Sequence, residues 1–136
     1  SIIGMPDETR DLIFDTINFV RELPDSIDAT GAFIFAPYHG TPLRDLAIRK
    51  GYIKDEEICS LSNTSESMLR MPTITKNEIQ GLAKTFSLYT KFPKERWPEI
   101  KIAESDGAEG TKMMTKLGKE FDSTYRQFAA GTDLHD

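Results

Sequence analysis

The chain has 136 residues, a formal net charge of −5 from 22 acidic and 17 basic residues, and a single cysteine. Its length suits one domain and is too short for a complete (β/α)8 barrel, which needs about 250 residues. The acidic balance argues against nucleic acid and anionic membranes as partners, and one cysteine allows neither an internal disulfide nor a thiolate metal site.

Signals for a membrane or for export are lacking in the sequence. No apolar run reaches about 18 residues, and no basic segment followed by an apolar one begins the chain. The cysteine usage favours a reducing compartment, so we expect a cytoplasmic protein without a membrane partner. Because residues 1–4 already belong to an apparent strand, we also expect a piece cut from a longer protein.

The first half predicts alternating strands and helices. Strands near residues 1–5 and 28–36 are each followed by a helix, the first over residues 9–23 and the second over residues 42–51. Proline at the start of the second helix and glycine at its end suit those positions. The residues that form one face of the first helix are Leu12, Ile13, Thr16, Ile17, Val20 and Leu23.

The periodicity is helical beyond Tyr52, wherever it is readable. Residues 55–57 predict a short helix or turn, and the polar residues 60–72 predict a loop. We therefore place a boundary at residue 54, with strands and helices in residues 1–54 and a helical extension in residues 55–136.

Three helical segments are predicted in that extension. Thr75 and Glu78 form a capping box, which begins a helix that ends before Pro93. Trp97 can pack into a joint between two helices, and residues 100–103 predict a further helical turn. The apolar face of the first segment consists of Ile79, Leu82, Ala83, Phe86 and Tyr89. The last segment carries the stripe Met113, Met114, Leu117, Phe121, Tyr125 and Phe128.

Two parallel strands with helices on one side leave a sheet face and both edges without cover. The cover can come from further strands of a parent protein, from the helical tail, or from another copy of the chain. For the isolated chain we expect a homo-oligomer with the first strand at the interface.

The turn after the first strand, residues 4–9, is a candidate ligand site. Gly4 lets the backbone approach a ligand closely, and N–H groups at the start of the next helix favour a carboxylate or phosphate. The alternative is a tight strand-to-helix turn without a ligand, in which Gly4 allows the backbone geometry and Glu8 interacts favourably with the helix dipole.

The turn after the second strand, Pro37-Tyr38-His39-Gly40-Thr41-Pro42-Leu43, is the second candidate. Its proline and glycine favour an open backbone whose N–H and C=O groups point outward, and Tyr38 adds an amphipathic ring. The alternative is a proline-set turn that only ends the strand.

Together the two turns resemble the fifth- and sixth-strand motifs of radical S-adenosylmethionine (SAM) enzymes of the cobalamin-associated type. The first is similar to G-x-I-x-G-x-x-E, in which Ile2, Gly4 and Glu8 match and the leading glycine is missing. The second is similar to a Pro-[Tyr/Phe]-x-Gly-Thr-Pro-Leu run whose backbone contacts the adenine of SAM. The similarity extends more weakly to about residue 104.

This resemblance implies an α/β fold: a partial (β/α) barrel of the radical SAM type with two βα units, followed by an α-helical C-terminal extension. It implies cofactor contacts at Ile2, Gly4, Glu8, Pro37, Tyr38 and His39. The intact parent would use SAM and a [4Fe–4S] cluster, with cobalamin left open, as an oxidoreductase or methyltransferase. The chain itself lacks the Cys-x₃-Cys-x₂-Cys loop, so we expect no bound cofactor, no catalytic residue and no activity from it alone.

Other residues have plainer interpretations. His39 is a candidate acid or base by residue type, but an exposed turn histidine is the alternative. His135 lies one residue from the C-terminus of the sequence. We expect Cys59 to be a small buried apolar residue rather than a nucleophile.

Two functions follow from the sequence. The first is the C-terminal portion of a radical SAM enzyme, whose partner is its missing N-terminal part. The alternative is a non-catalytic helical interaction module that uses the Met/Phe stripe as its partner surface.

Overall fold

A pair of short parallel strands and five α-helices make up the part of the chain that the computed structural model describes, which is residues 1–24, 27, 31–59 and 66–126. The strands are Ile2–Ile3 (β1) and Phe33–Ile34 (β2), with Ile2 opposite Phe33 and Ile3 opposite Ile34. The N–H of Phe35 donates to the carbonyl oxygen of Ile3 over 2.8 Å, which continues the ladder. Both predicted strand positions are confirmed, although residues 28–30 lie outside the described part.

The first three helices begin and end close to the predicted residues, whereas the last, predicted over residues 111–130, begins three residues earlier and ends as an α-helix at Phe121. A threonine side chain caps each of the first three helices by accepting from a backbone N–H three residues later. A 3₁₀ turn, Lys94–Arg96, precedes the fourth helix, and a π-helical segment, Asp122–Arg126, follows the fifth. The α-helices are Arg10–Glu22 (α1), Pro42–Arg49 (α2), Lys76–Lys91 (α3), Trp97–Ala103 (α4) and Ala108–Phe121 (α5).

The expected fold class, an α/β partial (β/α) barrel of the radical SAM type with two βα units and a helical extension, is wrong. Helices contain 57% of the described residues, and the sheet of that part has two strands of two residues each. The physical reason is that α3 from the second half packs directly against β2 and α1. The two short strands thus pack on one side of a core that is formed mainly by helices. The domain boundary predicted at residue 54 remains a prediction.

Helix α3 is the most buried element. Its N-terminal end reaches the first turn, where a Cβ on Gly4 would lie 3.2 Å from Cγ2 of Ile79. Its middle approaches the end of α4 so closely that a Cβ on Gly81 would lie 2.6 Å from the carbonyl oxygen of Glu104. The buried residues of α3 are Ile79, Gly81, Leu82, Thr85, Phe86, Leu88, Tyr89 and Thr90.

An aromatic cluster joins α1, α3 and α4. The ring of Trp97 lies 5.3 Å from that of Phe14 and 5.4 Å from that of Tyr89, centroid to centroid. Arg21 of α1 donates to the carbonyl oxygens of Tyr89 and Phe92, which are groups that the end of α3 leaves without helical partners. The prediction that Trp97 packs at a helix joint is therefore confirmed.

The predicted faces of α1 and of the Met/Phe stripe differ in detail from the structure. Leu12, expected on the buried face of α1, is half exposed, because the face turns toward Phe14 and the aromatic cluster. Within the stripe, Leu117 is fully buried, and Phe121 and Tyr125 contact the ring of Phe92. These residues belong to the chain's own core, and Phe128 lies outside the described part.

A carboxylate network ties α1 to the end of α4. The guanidinium of Arg10 donates two hydrogen bonds of 2.8 Å to the two oxygens of Glu104, and the hydroxyl of Tyr89 donates to Oε2 of the same carboxylate. Burial and this hydrogen bond raise the pKa of Tyr89 well above its usual range, so the phenol stays protonated. Glu104 therefore connects three helices at one point.

A second cluster ties the first turn to the end of α2. Asp7 has a positive φ of 64° and accepts from the hydroxyl of Tyr52 and, over 2.7 Å, from Nζ of Lys50. The hydrogen bonds from Lys50 and Tyr52 lower the pKa of Asp7, and Asp7 raises the pKa of both partners. These contacts hold a backbone conformation that non-glycine residues seldom adopt.

We expect Glu104→Gln to lower the free energy of unfolding by about 1–3 kcal/mol, because it removes the bidentate partner of Arg10 and leaves that guanidinium only the longer pair with Glu78, at 3.7 Å. Urea unfolding at neutral pH measures the loss. The control is Glu99→Gln, which breaks an exposed pair with Arg96 and should cost less than about 1 kcal/mol. Equal losses of unfolding free energy in the two variants would contradict the conclusion that Glu104 connects the three helices.

We expect Asp7→Asn to lower the free energy of unfolding at pH 7, with a gap to wild type that closes as the pH falls below about 3.9, the usual aspartate pKa. The folded pKa of Asp7 is depressed, so its contribution is present above the unfolded pKa and is lost as pH falls through the folded pKa. Urea titrations from pH 7 to acid measure the gap. Asp15→Asn, on the exposed face of α1, is the control, and a pH-independent gap for Asp7→Asn would refute the assignment.

Candidate functional site

The two turns open into one apolar pocket at the carboxyl ends of the parallel strands. The pocket has a volume of about 420 Å³, within the usual range for small-molecule sites. Its lining residues come from both turns and from the strands between them. They are Ile2, Met5, Phe33, Ile34, Phe35, Ala36, Tyr38, Thr41 and Leu43.

One face of the sheet is free, and this face forms the floor of the pocket. Ile3 is fully buried and Ile34 nearly so, since that face meets the helical core. On the opposite face Ile2 is 59% exposed and Phe33 is 71% exposed. The alternation of a strand therefore places Ile2 and Phe33 on the less covered face of the sheet.

The first turn is stabilised by its own carboxylate. Gly4 has a φ of +82°, a region that side chains disfavour, and its N–H donates to Oε1 of Glu8 over 2.6 Å. The N–H of Met5 donates to the same oxygen over 3.3 Å. Two N–H groups that an external anion would use are thus bonded to Glu8.

The second turn is closed by hydrogen bonds around Tyr38. Its N–H donates to the carbonyl oxygen of Ala36 over 3.0 Å, and its carbonyl oxygen accepts from both the N–H and the hydroxyl of Thr41. Arg44 donates to the carbonyl oxygen of Pro37 over 2.8 Å. This closure leaves the ring of Tyr38 partly exposed at the rim of the pocket.

The structure brings two of the six candidate site residues into the pocket, Ile2 and Tyr38. Gly4 and Glu8 shape the first turn behind it, Pro37 is buried beneath the second turn, and His39 is exposed outside the lining. These placements leave the assignment of cofactor contacts as a prediction. They also make His39 an unsuitable acid or base for a ligand held in the pocket.

Sequence reasoning missed most of the lining. Met5 and Leu43 lie within the two candidate turns but are not among the predicted contact residues, and Phe33 and Phe35 are predicted only as parts of the second strand. Strand alternation was the available signal, because Phe33 and Phe35 lie two residues apart and precede the Pro-Tyr turn directly. That signal could not show which face the helices cover.

The lining determines what the pocket can do chemically. It contains aliphatic and aromatic side chains, with Tyr38 and Thr41 as its polar groups, and no carboxylate, imidazole or amine. Such a surface suits a flat apolar ring better than a charged or proton-transferring group. The described lining thus offers apolar contact area with two hydroxyl groups.

The described residues hold no group of three or more His, Cys, Asp or Glu side chains arranged for a metal ion. Cys59, expected to be buried, is only partly covered. A second cavity, of about 570 Å³, lies beside the Arg10–Glu104 network, and of its charged lining residues Arg10, Glu78, Glu104 and Asp106 form ion pairs. Neither feature competes with the apolar pocket as the candidate site.

No family model, curated protein or solved structure matches this chain. None of the helices in the described ranges has the length and apolar character needed to cross a membrane. The features of this chain that bear on function are therefore its two turns and the pocket that both of them line.

Proposed function

We propose that the chain is the C-terminal portion of a radical SAM iron–sulfur enzyme, an oxidoreductase or methyltransferase, and that its pocket contacts the adenosyl group of SAM. The observation that carries the proposal is that both motif-bearing turns end strands of one parallel pair and open into the same apolar pocket. Ligands of proteins with parallel strands commonly bind at such strand ends. The fold of the parent is not part of the proposal.

The pocket is suited in size and chemistry to the adenine of SAM. Adenine has two flat apolar faces, which favour contact with aromatic and aliphatic side chains such as Phe33 and Ile2. The hydroxyl of Tyr38 supplies a polar atom at the rim, where the edge of the base carries its own donors and acceptors. Gly4 and Glu8 act indirectly, by fixing the first turn.

The [4Fe–4S] cluster is not assigned to this chain. Such clusters are held by several cysteine thiolates, and Cys59 is the single cysteine in the sequence. Its residues do not fit the cluster, so the cluster and any cobalamin belong to the missing N-terminal part of the parent. The role left to this chain is to bind and orient one part of SAM.

The missing N-terminal part is also the proposed partner of the exposed sheet. In the part of the chain that the structure describes, each strand has one sheet neighbour and so an open outer edge, and Phe33 and Ile2 extend an apolar face beside these edges. In the isolated chain a second copy takes this place, which gives a homo-oligomer. Nucleic acid and membranes are not among the proposed partners.

A non-catalytic interaction module remains the second candidate, and the exposed apolar face is the observation that favours it. The Met/Phe stripe does not serve this function, because its described members pack against the chain's own helices. The two candidates differ in whether the pocket takes a small ligand.

The proposed function is tested by titrating the chain with SAM and with adenosine and by monitoring binding with calorimetry and amide NMR. Although the missing cysteine loop predicts no bound cofactor, the pocket leads us to expect saturable binding of the adenosyl group, with the largest shifts at the amides of the two turns. Phe33→Ala should weaken adenosine binding by about tenfold, as expected when one aromatic contact to a base is lost.

Phe19→Ala is the matched control. Phe19 is as exposed as Phe33 but lies on α1, outside the pocket lining, so its loss should leave the affinity unchanged. Absence of saturable binding to the wild-type chain would reject the SAM proposal and favour the interaction module.

Light scattering tests the proposed oligomer. Ile2→Lys places a charge on the exposed sheet face and should shift the assembly toward monomer, whereas Leu12→Lys, at a comparably exposed position on α1, should not. Ile3 is unsuitable for this test, because it is fully buried within the chain and its replacement would unfold the protein. A monodisperse wild-type monomer would contradict the proposal.

A further inference from the structure

Arg44 is the most deeply buried charged side chain among the described residues, with 2% of its surface exposed. It lies in the first turn of α2, three residues after the N-cap Thr41. Its guanidinium forms no ion pair with a carboxylate of the described chain. A buried charge without an opposite charge is unfavourable unless hydrogen bonds satisfy its donors, so its surroundings are informative.

The donors of Arg44 converge on main-chain carbonyls from two separate segments. One Nη atom donates to Pro37 over 2.8 Å, and the other donates to Asp55 over 3.2 Å and to Glu57 over 2.5 Å. A guanidinium presents several donors in a rigid plane, so it can hold groups on different sides at fixed angles. Lysine, with a single ammonium on a flexible chain, cannot reproduce this geometry.

The carbonyl of Pro37 is the peptide group that immediately precedes Tyr38. Its direction fixes the plane of the Pro37–Tyr38 peptide and hence the point from which the ring of Tyr38 extends to the pocket rim. The hydroxyl of Thr41 closes the turn locally by donating to the carbonyl of Tyr38. Arg44 is thus the contact that links this turn to residues 55–57.

We propose that Arg44 is a positioning residue for the adenosyl pocket, which it serves by anchoring the 36–41 turn to residues 55–57 without contacting the ligand. The identity of the ligand rests on the proposed function, whereas the anchoring of the turn does not. It assigns residues 55–57, which form only a turn, a part in setting the pocket.

Hydrogen exchange in the full chain tests the anchoring separately from ligand binding. The N–H groups of Tyr38 and Thr41 are bonded within the turn. In Arg44→Lys we expect their exchange to accelerate about tenfold, the equivalent of losing one hydrogen bond to a charged group. Arg49→Lys, an exposed replacement in the last turn of α2, should leave both rates unchanged. Unchanged rates in Arg44→Lys would overturn the inference.

Adenosine affinity in the same variants tests positioning against general destabilisation. Arg44→Lys should weaken binding about tenfold. Leu117→Ala, which destabilises the distant core of α5, should lower the melting temperature without that loss. If affinity falls equally in both, the role of Arg44 is only structural. If the wild type does not bind adenosine while the turn still loosens in Arg44→Lys, the proposed function fails and the anchoring stands.

A measurement on the wild-type chain covers the case in which Arg44→Lys does not fold. Nitrogen-15 NMR of the guanidinium reports whether its terminal N–H groups rotate. Three bound carbonyls should hold them in separate, slowly exchanging signals. A single averaged signal would show a freely rotating group and would overturn the inference.

Discussion

The packing of α3 against β2 and α1 is the constraint on which the rest of the structure depends. Two strands of two residues each cannot form a stable sheet alone, because isolated strand pairs are at best marginal in water. Ile79 and Phe86 are fully buried, and each such side chain contributes about 1.5–3 kcal/mol. The strands therefore persist because a helix from the second half covers one of their faces, and the opposite face stays free for a ligand or partner.

The two turns reach fixed shapes by different means, and both leave the pocket apolar. The first uses its own carboxylate, since Glu8 accepts from the N–H groups of Gly4 and Met5. The second uses a cation from the following helix, since Arg44 holds the carbonyl of Pro37. In each case the charged side chain is hydrogen-bonded to backbone groups behind the pocket. The pocket lining therefore consists mainly of aromatic and aliphatic side chains, which suit the flat faces of a nucleobase.

Local elements could be predicted from the sequence because their signals are local. Thr9, Thr41 and Thr75 mark helix starts by a side chain that reaches only three residues, and Gly51 marks a helix end by its positive φ. The fold class could not be predicted this way. It depends on whether α3 or further strands cover Ile3 and Ile34, and that choice involves residues more than 40 positions apart. The candidate site shows the same division: the turns were found, but the lining depends on which sheet face is covered.

The contacts that matter most to the pocket are those that no spacing in the sequence would indicate. Arg44 follows the Pro-Tyr turn as one of several charged residues in α2, and only its burial separates it from Arg49. Asp7 is similar, because its partners Lys50 and Tyr52 lie at the far end of α2. Through these two residues each turn is fastened to the segment that follows α2, Asp7 to residues 50–52 and Arg44 to residues 55–57. The two turns that line the pocket therefore share one support, residues 50–57, although no spacing in the sequence links either turn to it.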